Sequence, residues 1–438
     1  MINVLSLQIC KAVVSLPRKY CQSKRLSAFS MKLKRTLSKL FVTIILLPFA
    51  IFGILHLFFL WFYVSAPVYR FSEPEPFSGP NLINPYQDMH PDHWRKYNFQ
   101  VQSKAWWGIT DGRLNSNILI DSMYSLLEYD YVATSDYQKI NRHRSDEAIF
   151  IPTYEHGYSI RKTHQVCIGA EKVLWRDYIY NQTLSHKQHI LDLLRPDNRI
   201  VALAHPLLLD GYLPEDLRYL SGYDLIEVLN NMRISTAHWD TALSNGHPAF
   251  ILANDDAHDV SNSNEVGRRF TMINAAGTDR ELILSALKKG NAYGFDFFRV
   301  DDEPWPDKIV RSRDIPYMTA ASLDSNRFTV SFSKPFSILN FIGQNGRVLA
   351  KANDYHTASY SIAPTDTYVR TEVIFYDSSA IYLNPVIRTQ DGEPASGRLA
   401  EIDQRATLLF RAAVAGIGFL LIITVIFIMR LRKKKIRQ

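Results

Sequence analysis

The chain is 438 residues long, 47% hydrophobic and 12% aromatic, enough for two or more packed domains. Its net charge of +7 belongs to its ends: residues 1–39 carry nine Lys/Arg and residues 430–438 six, with no acid in either, so the rest holds 35 basic against 43 acidic residues, a net of −8. A nucleic-acid footprint would place basic charge on the folded body, so nucleic-acid binding is set aside.

The basic segment 1–39 leads into "LFVTIILLPFAIFGILHLFFLWFYV", residues 40–64, which has no charged residue. Residues 412–429, "AAVAGIGFLLIITVIFIM", have none either, and a basic tail, 430–438, follows. A spanning helix needs roughly 20 apolar residues, so both runs are read as transmembrane helices. Phe, Trp and Tyr gather at the outer end of the first, as in an interfacial belt. The run is too long for the core of a signal peptide and lacks a small-residue cleavage pattern. Buried core helices are the competing reading, but they are rarely apolar on every face. Positive-inside bias puts both termini in the cytoplasm and the main domain outside it, in the periplasm of a bacterium. Met31 opens a second basic flank, "MKLKRTLSKL", adequate by itself as the cytoplasmic end. Cys167 is the one cysteine between the two spans, so no disulfide forms within that part.

Residues 65–97 are rich in Pro and Ser and read as a linker. From 98 to 300 strand and helix patterns alternate. Strand candidates end at Trp107, Asp136, Glu155, Ala170, His205, Asn230 and Asp256. Helical spacing appears in "NSNILIDSMYSLLEYD", "SHKQHILDLLRP" and "TDRELILSALKKG", the last stopping at Gly290. Such alternation implies an α/β fold with a mostly parallel sheet, and about seven units suit a barrel. Across 310–393 the runs are short, β-branched or aromatic and divided by turns such as "GQNG", which predicts a small antiparallel β-sandwich. It carries no ligand cluster and is read as a packing surface or a contact for a membrane protein partner.

The polar residues collect at strand ends: Asp136, Glu155 with His156, His164, His205, Glu227 with Asn230, and "NDDAHD" with Asp256 and His258. Each alone has an ordinary structural explanation, such as a helix cap. Together they point to one cavity, because in a parallel barrel the C-terminal strand ends face a common rim and buried charges are costly unless paired or metal-bound.

This constellation resembles the PHP superfamily (polymerase and histidinol phosphatase) of metal-dependent phosphoesterases, over about 98–295. "VALAHP" is similar to its Ala-His-Pro motif and "NDDAH" to its Ser-Asp-Ala-His motif. "SKAWWGITDG" resembles its opening His-x-His and Ser-Asp-Gly: Asp111-Gly112 is kept, but Lys104 and Trp106 stand in the His places. "DYVATSDY" has Tyr137 in place of a His. The resemblance implies a distorted seven-stranded (β/α) PHP-type barrel, followed by the sandwich and flanked by the transmembrane helices. It implies one or two divalent ions (Zn, Mn or Fe): Glu155, His164 and His205 would hold one, and Asp111 and His258 a weaker one, with Asp256 as ligand or base. Lys104, pointing inward on the strand, would pair with the carboxylates or bind a phosphate, and Trp106 would fill part of the cavity. Two functions follow. One is a membrane-anchored phosphoesterase acting on a phosphate-ester substrate with a reduced metal site. The other is a PHP-like module without catalysis, kept for binding or assembly in the membrane.

Overall fold

The computed structural model describes residues 24–110, 112–394 and 399–436. The chain divides into two units, Met1–Trp61 and Phe62–Gln438. The described part of the first is helix α1 (Lys24–Ser65), which runs on into the second and contains Pro48. Phe41–Ser65 of α1 and Gln404–Lys433 near the chain's other end are long and apolar enough to cross a membrane, and neither span is buried. That exposure removes the reading as core helices: an unburied surface of Phe, Leu and Ile is stable only against lipid or a partner. Of the basic flanks, residues 1–23 and 437–438 lie outside the described residues.

The second unit begins with three strands, β1 (Tyr69–Phe71), β2 (Asn81–Ile83) and β3 (Trp94–Asn98). Helix α2 (Asn117–Leu126) follows, then β4 (Tyr131–Val132), β5 (Thr153–His156), β6 (Gln165–Ala170) and α3 (Leu184–Leu194). Next come β7 (Asn198–Leu203), β8 (Leu225–Asn230), β9 (Arg233–Ile234), α4 (Thr236–Ser244), β10 (Phe250–Asn254) and β11 (Arg269–Asn274). After α5 (Arg280–Lys289), β12 (Ala292–Asp296) and α6 (Trp305–Ser312) the chain is almost all strand. These are β13 (Met318–Asp324), β14 (Arg327–Gly343), β15 (Arg347–Ala352), β16 (Tyr355–Ser361), β17 (Tyr368–Phe375), β18 (Ala380–Thr389) and β19 (Ala400–Ile402), before α7 (Gln404–Ile436).

The three predicted helices form where the periodicity placed them. Ser116 caps α2 by accepting from the Leu119 amide, and Asp279 caps α5 from the Glu281 amide. Gly290 ends α5 in the left-handed region, at φ 75°. A Cβ there would lie 2.7 Å from the Phe250 ring, so the residue has no alternative.

The strands differ from expectation in two ways. First, no closed barrel forms among the described residues. One sheet runs β10-β8-β7-β6-β5, with β9 on β8; a larger one runs β13-β14-β17-β18-β12-β11-β3-β4, with β15 and β16 on β14 and β2 on β18. Between them, isolated parallel bridges, Tyr137 to Glu155 and Val101 to Ala257, stand where a barrel would have continuous ladders. β4 is only two residues long and the chain after β3 turns away, so neither can supply a full ladder. The first sheet is also mixed: β6 lies antiparallel to both β5 and β7, while β7, β8 and β10 are parallel.

Second, the strands of 310–393 do not make a separate sandwich. β18 pairs with β12 (Tyr293 to Leu383), joining them to the sheet that holds β11 and β3. β14 alternates buried Phe328, Val330 and Phe332 with more exposed neighbours, then bulges around Pro335, where a missing N–H breaks no ladder. Its buried face shares one core with Phe270, Tyr293 and Phe295.

Candidate metal centre

The antiparallel placement of β6 builds the site. Because β6 runs against its neighbours, its start lies beside the ends of β5 and β7: Glu155 pairs with Val166, and Gln165 with Leu203. His164, one residue before β6, receives the Ala204 amide on its carbonyl at 3.1 Å. His205 follows Ala204 directly. β8 and β10, parallel to β7, end at Asn230 and Asn254 on the same edge.

Glu155, His164 and His205 are all buried. Oε1 of Glu155 accepts from His164 Nδ1 at 2.6 Å and lies 3.2 Å from His205 Nε2. Each residue can offer a ligand atom such that all three atoms lie within 4.8 Å of one another, and among the described residues this is the one such group. Donors around a tetrahedral ion with bonds of about 2.0–2.1 Å stand roughly 3.3 Å apart, so small side-chain shifts would seat an ion. His164 Nε2, His205 Nδ1 and Asp256 Oδ1 are buried with no hydrogen-bond partner. Each orphan of that kind costs about 1–3 kcal/mol. A set of two imidazoles and a carboxylate with polar valences to spare fits a divalent metal, Zn, Mn or Fe by donor type.

The electrostatics agree. Burial would raise the Glu155 carboxyl, but His164 and His205 hold it well below the usual carboxylate range. Burial opposes charge on His205, yet its hydrogen bond to the Glu155 carboxylate lifts it to about 9, whereas burial dominates at His164 and lowers it. Two further carboxyls sit at the floor. Burial raises Glu227 to about 8 and Asp256 to about 6. Glu227 accepts from the His205 amide at 2.8 Å and from Asn254 Nδ2 at 2.7 Å; Asp256 accepts from Asn230 Nδ2 at 3.1 Å. His205 and Asp256 both hold positive φ, at 29° and 49°, an arrangement that stores strain at the strand ends.

The remaining expected residues divide. His258 is half-buried and its Nδ1 donates to the Asp256 carbonyl at 2.8 Å, outside the group of three. Asp111 lies outside the described residues. Lys104 is exposed rather than turned into the cavity, and Trp106, half-buried, sends its Nε1 to the Tyr137 carbonyl at 2.7 Å instead of filling the centre. The reason is local: the chain leaves strand geometry at Ser103–Ala105 and enters a tight turn at Trp106–Gly108. Gln100 and Gln102, two residues apart and both buried, precede that turn, and Gln102 reaches the site. Gln102 Nε2 donates to Glu155 Oε2 at 2.6 Å, and both amide atoms of Gln100 are without partners. In the sequence their mark is two polar residues spaced by one inside the apolar "NFQVQ".

A pocket of about 490 Å³ opens beside the triad, lined by Trp106, Tyr137, Ser159, Lys162, His164 and Trp175 among others. The Tyr137 ring lies 5.7 Å from that of His164, with Lys162 Nζ 5.4 Å above the Tyr137 ring.

No protein-family model matches the chain, and no curated relative matches it. A solved structure from Bacteroides vulgatus, a two-domain protein containing a predicted PHP-like metal-dependent phosphoesterase, is similar at 12% identity and a TM-score of 0.33, covering 76% of this chain and 98% of its own. That superposition is too loose to transfer any feature, so the site stands on its own geometry.

Proposed function

We propose that the second unit is a membrane-anchored, extracytoplasmic PHP-like domain that hydrolyses phosphate esters at a reduced metal site. The observation that carries this reading is the buried group Glu155, His164 and His205. These three would hold the ion. When bound, a divalent ion supplies a hydroxide nucleophile near neutral pH and polarises a phosphoryl oxygen. Asp256, a buried carboxylate whose Oδ1 has no partner, would serve as the proton acceptor. Asn230 fixes that carboxylate through its amide, and Glu227 fixes the His205 backbone. Lys162 on the pocket wall, not Lys104, is the cation placed to meet a phosphate. The spans and the basic flanks support a two-pass topology with both termini in the cytoplasm.

The test is metal content and turnover of the full chain in detergent. Stoichiometric Mn or Zn that disappears in His205→Ala, together with release of p-nitrophenol from its phosphate ester, is the expected result. A chain without bound metal would sink the reading.

A second reading, a binding or assembly module without catalysis, is favoured by one observation. A neutral carboxamide, Gln102, donates to the second oxygen of Glu155, on the side from which a second bridged ion would approach. On that reading the exposed face of the larger sheet contacts a membrane protein partner.

A further inference from the structure

Apolar side chains stand in water around the mouth of the pocket beside the triad. Trp107 is 91% exposed, Ile109 82%, Ile160 62% and Trp175 59%. Ile109 and Trp175 line the pocket, Trp107 follows its Trp106 wall, and Ile160 falls in sequence between the lining residues Ser159 and Lys162. Trp106 and Trp107 hold left-handed backbone, at φ 49° and 56°. That conformation costs a bulky residue on the order of 1–2 kcal/mol, and here it serves to hold an indole out into solvent.

The mouth also lies near the point where the second span begins. Arg176, next to Trp175, donates to Ser65 Oγ at 2.6 Å and to the Phe62 carbonyl at 2.8 Å. Arg411, just before the uninterrupted apolar part of α7, donates to the Ser65 carbonyl at 2.7 Å. One serine thus ties the residue beside the pocket wall to the edge of the apolar helix. With consecutive Cα atoms about 3.8 Å apart, an extended arginine puts Trp175 on the order of 10 Å from Ser65, the last residue of an apolar span. The headgroup layer on each face of a bilayer is roughly 5–7 Å deep, and Trp is the residue enriched there.

We propose that the pocket opens onto the bilayer surface and takes the phosphate headgroup of a membrane lipid, rather than a phosphate ester dissolved in water. This rests on the preceding reading of the spans and of the triad. Trp107 and Ile160 sit among the headgroups, Trp106, Tyr137 and Trp175 wall the pocket, and Lys162 meets the phosphate.

Affinities are read from the thermal unfolding of the full chain in detergent, titrated with dihexanoyl phosphatidic acid, glycerol 3-phosphate and inorganic phosphate. The lipid is expected to bind at least tenfold more tightly than glycerol 3-phosphate. Lys162→Gln weakens both, and Trp107→Ser with Ile160→Ser removes the lipid's advantage alone. Equal affinities, or no lipid binding, overturn the proposal. A second measurement does not depend on those variants. In nanodiscs, with Cys10 and Cys21 changed to Ser, a spin label on Trp107→Cys is expected to be shielded from a water-soluble relaxant, relative to a label on Tyr355→Cys. Equal accessibility overturns the membrane placement. Lipid binding without any ester hydrolysis supports this inference and removes the hydrolytic reading.

Discussion

Gln102 shows how one side chain sets the capacity of the site. Its amide donates to Glu155 Oε2, while Oε1 faces both imidazoles. Gln102→Leu leaves a buried carboxylate oxygen unpaired, which costs about 2 kcal/mol; metal content is expected to survive because the imidazole side of Glu155 is untouched. Loss of metal in that variant would mean that Gln102 positions the ligand. Lys96 is a second buried polar residue with a measurable consequence. Its ammonium donates to the Leu127 carbonyl at 3.0 Å and lies over the Tyr129 and Phe270 rings. Burial, against the pull of Asp255, lowers it to about 7. The folded state therefore binds fewer protons than the unfolded state between pH 7 and the ordinary lysine range. The penalty is complete below about 7 and fades as pH rises. Lys96→Met should be stabilising relative to the parent at pH 6, and that advantage should shrink by roughly 2–3 kcal/mol by pH 9, at about 1.4 kcal/mol per unit. Denaturant melts at the two values check it; a pH-independent difference would refute it. At this scale the sequence was informative about the ligands. Glu155, His164 and His205 were marked by charge at the ends of apolar runs, where burial demands a partner. The fates of Lys104 and Trp106 were not legible, because a turn three residues long decides them.

Elements bring the ligands together, and their ends are held by backbone freedom. Gly157, just after β5, has φ 124°, and a Cβ there would lie 2.5 Å from His164 Cδ2. Gly157→Ala is expected to push the imidazole off Glu155 and lower metal affinity at least tenfold. Gly222→Ala is the control: it has the same kind of backbone, φ 88°, but open space around it. It should cost about 1 kcal/mol through strain alone and leave the metal content unchanged. If both variants lose metal equally, collision with His164 is not the cause. The sequence revealed where helices and most strands lie, since period and caps are local. Strand direction was hidden. "KTHQVCIGA" reads the same as a parallel or an antiparallel strand, and only pairing shows that β6 runs backwards. Its reversal is what places His164 at a strand start yet on the same edge as His205.

At the scale of the molecule, the pattern change after Phe295 looks like a domain boundary, but the structure uses it as one half of a sheet. β12 pairs with β11 on one side and β18 on the other. The Asn384 amide donates to the Gly290 and Ala292 carbonyls while its Oδ1 accepts the Ile251 amide, stitching β18 to both sheets. Arg370 of β17 grips Asp240 of α4 through two bonds, at 2.7 and 2.8 Å, both residues being buried. Sequence periodicity cannot see such pairings, because the partners of Asn384 and Arg370 lie 92 to 133 positions away. A fragment of residues 66–300 would therefore carry a bare β12 edge, half of an aromatic core and an Asp240 without its Arg370 partner. Breaking such a pair costs about 3–5 kcal/mol where the remaining charge stays buried, against a total stability of about 5–15 kcal/mol for a domain. We expect 66–300 to be insoluble or to lack a cooperative thermal transition, while 66–403 folds and melts once by circular dichroism. Within 66–403, Arg370→Met should lower stability by a similar 3–5 kcal/mol, and Arg370→Met with Asp240→Leu should recover most of it, since removing both charges leaves nothing buried and unpaired. A cooperative melt from 66–300 alone would show instead that the β-rich part is an appended module, and that the metal centre is supported by its own half of the fold.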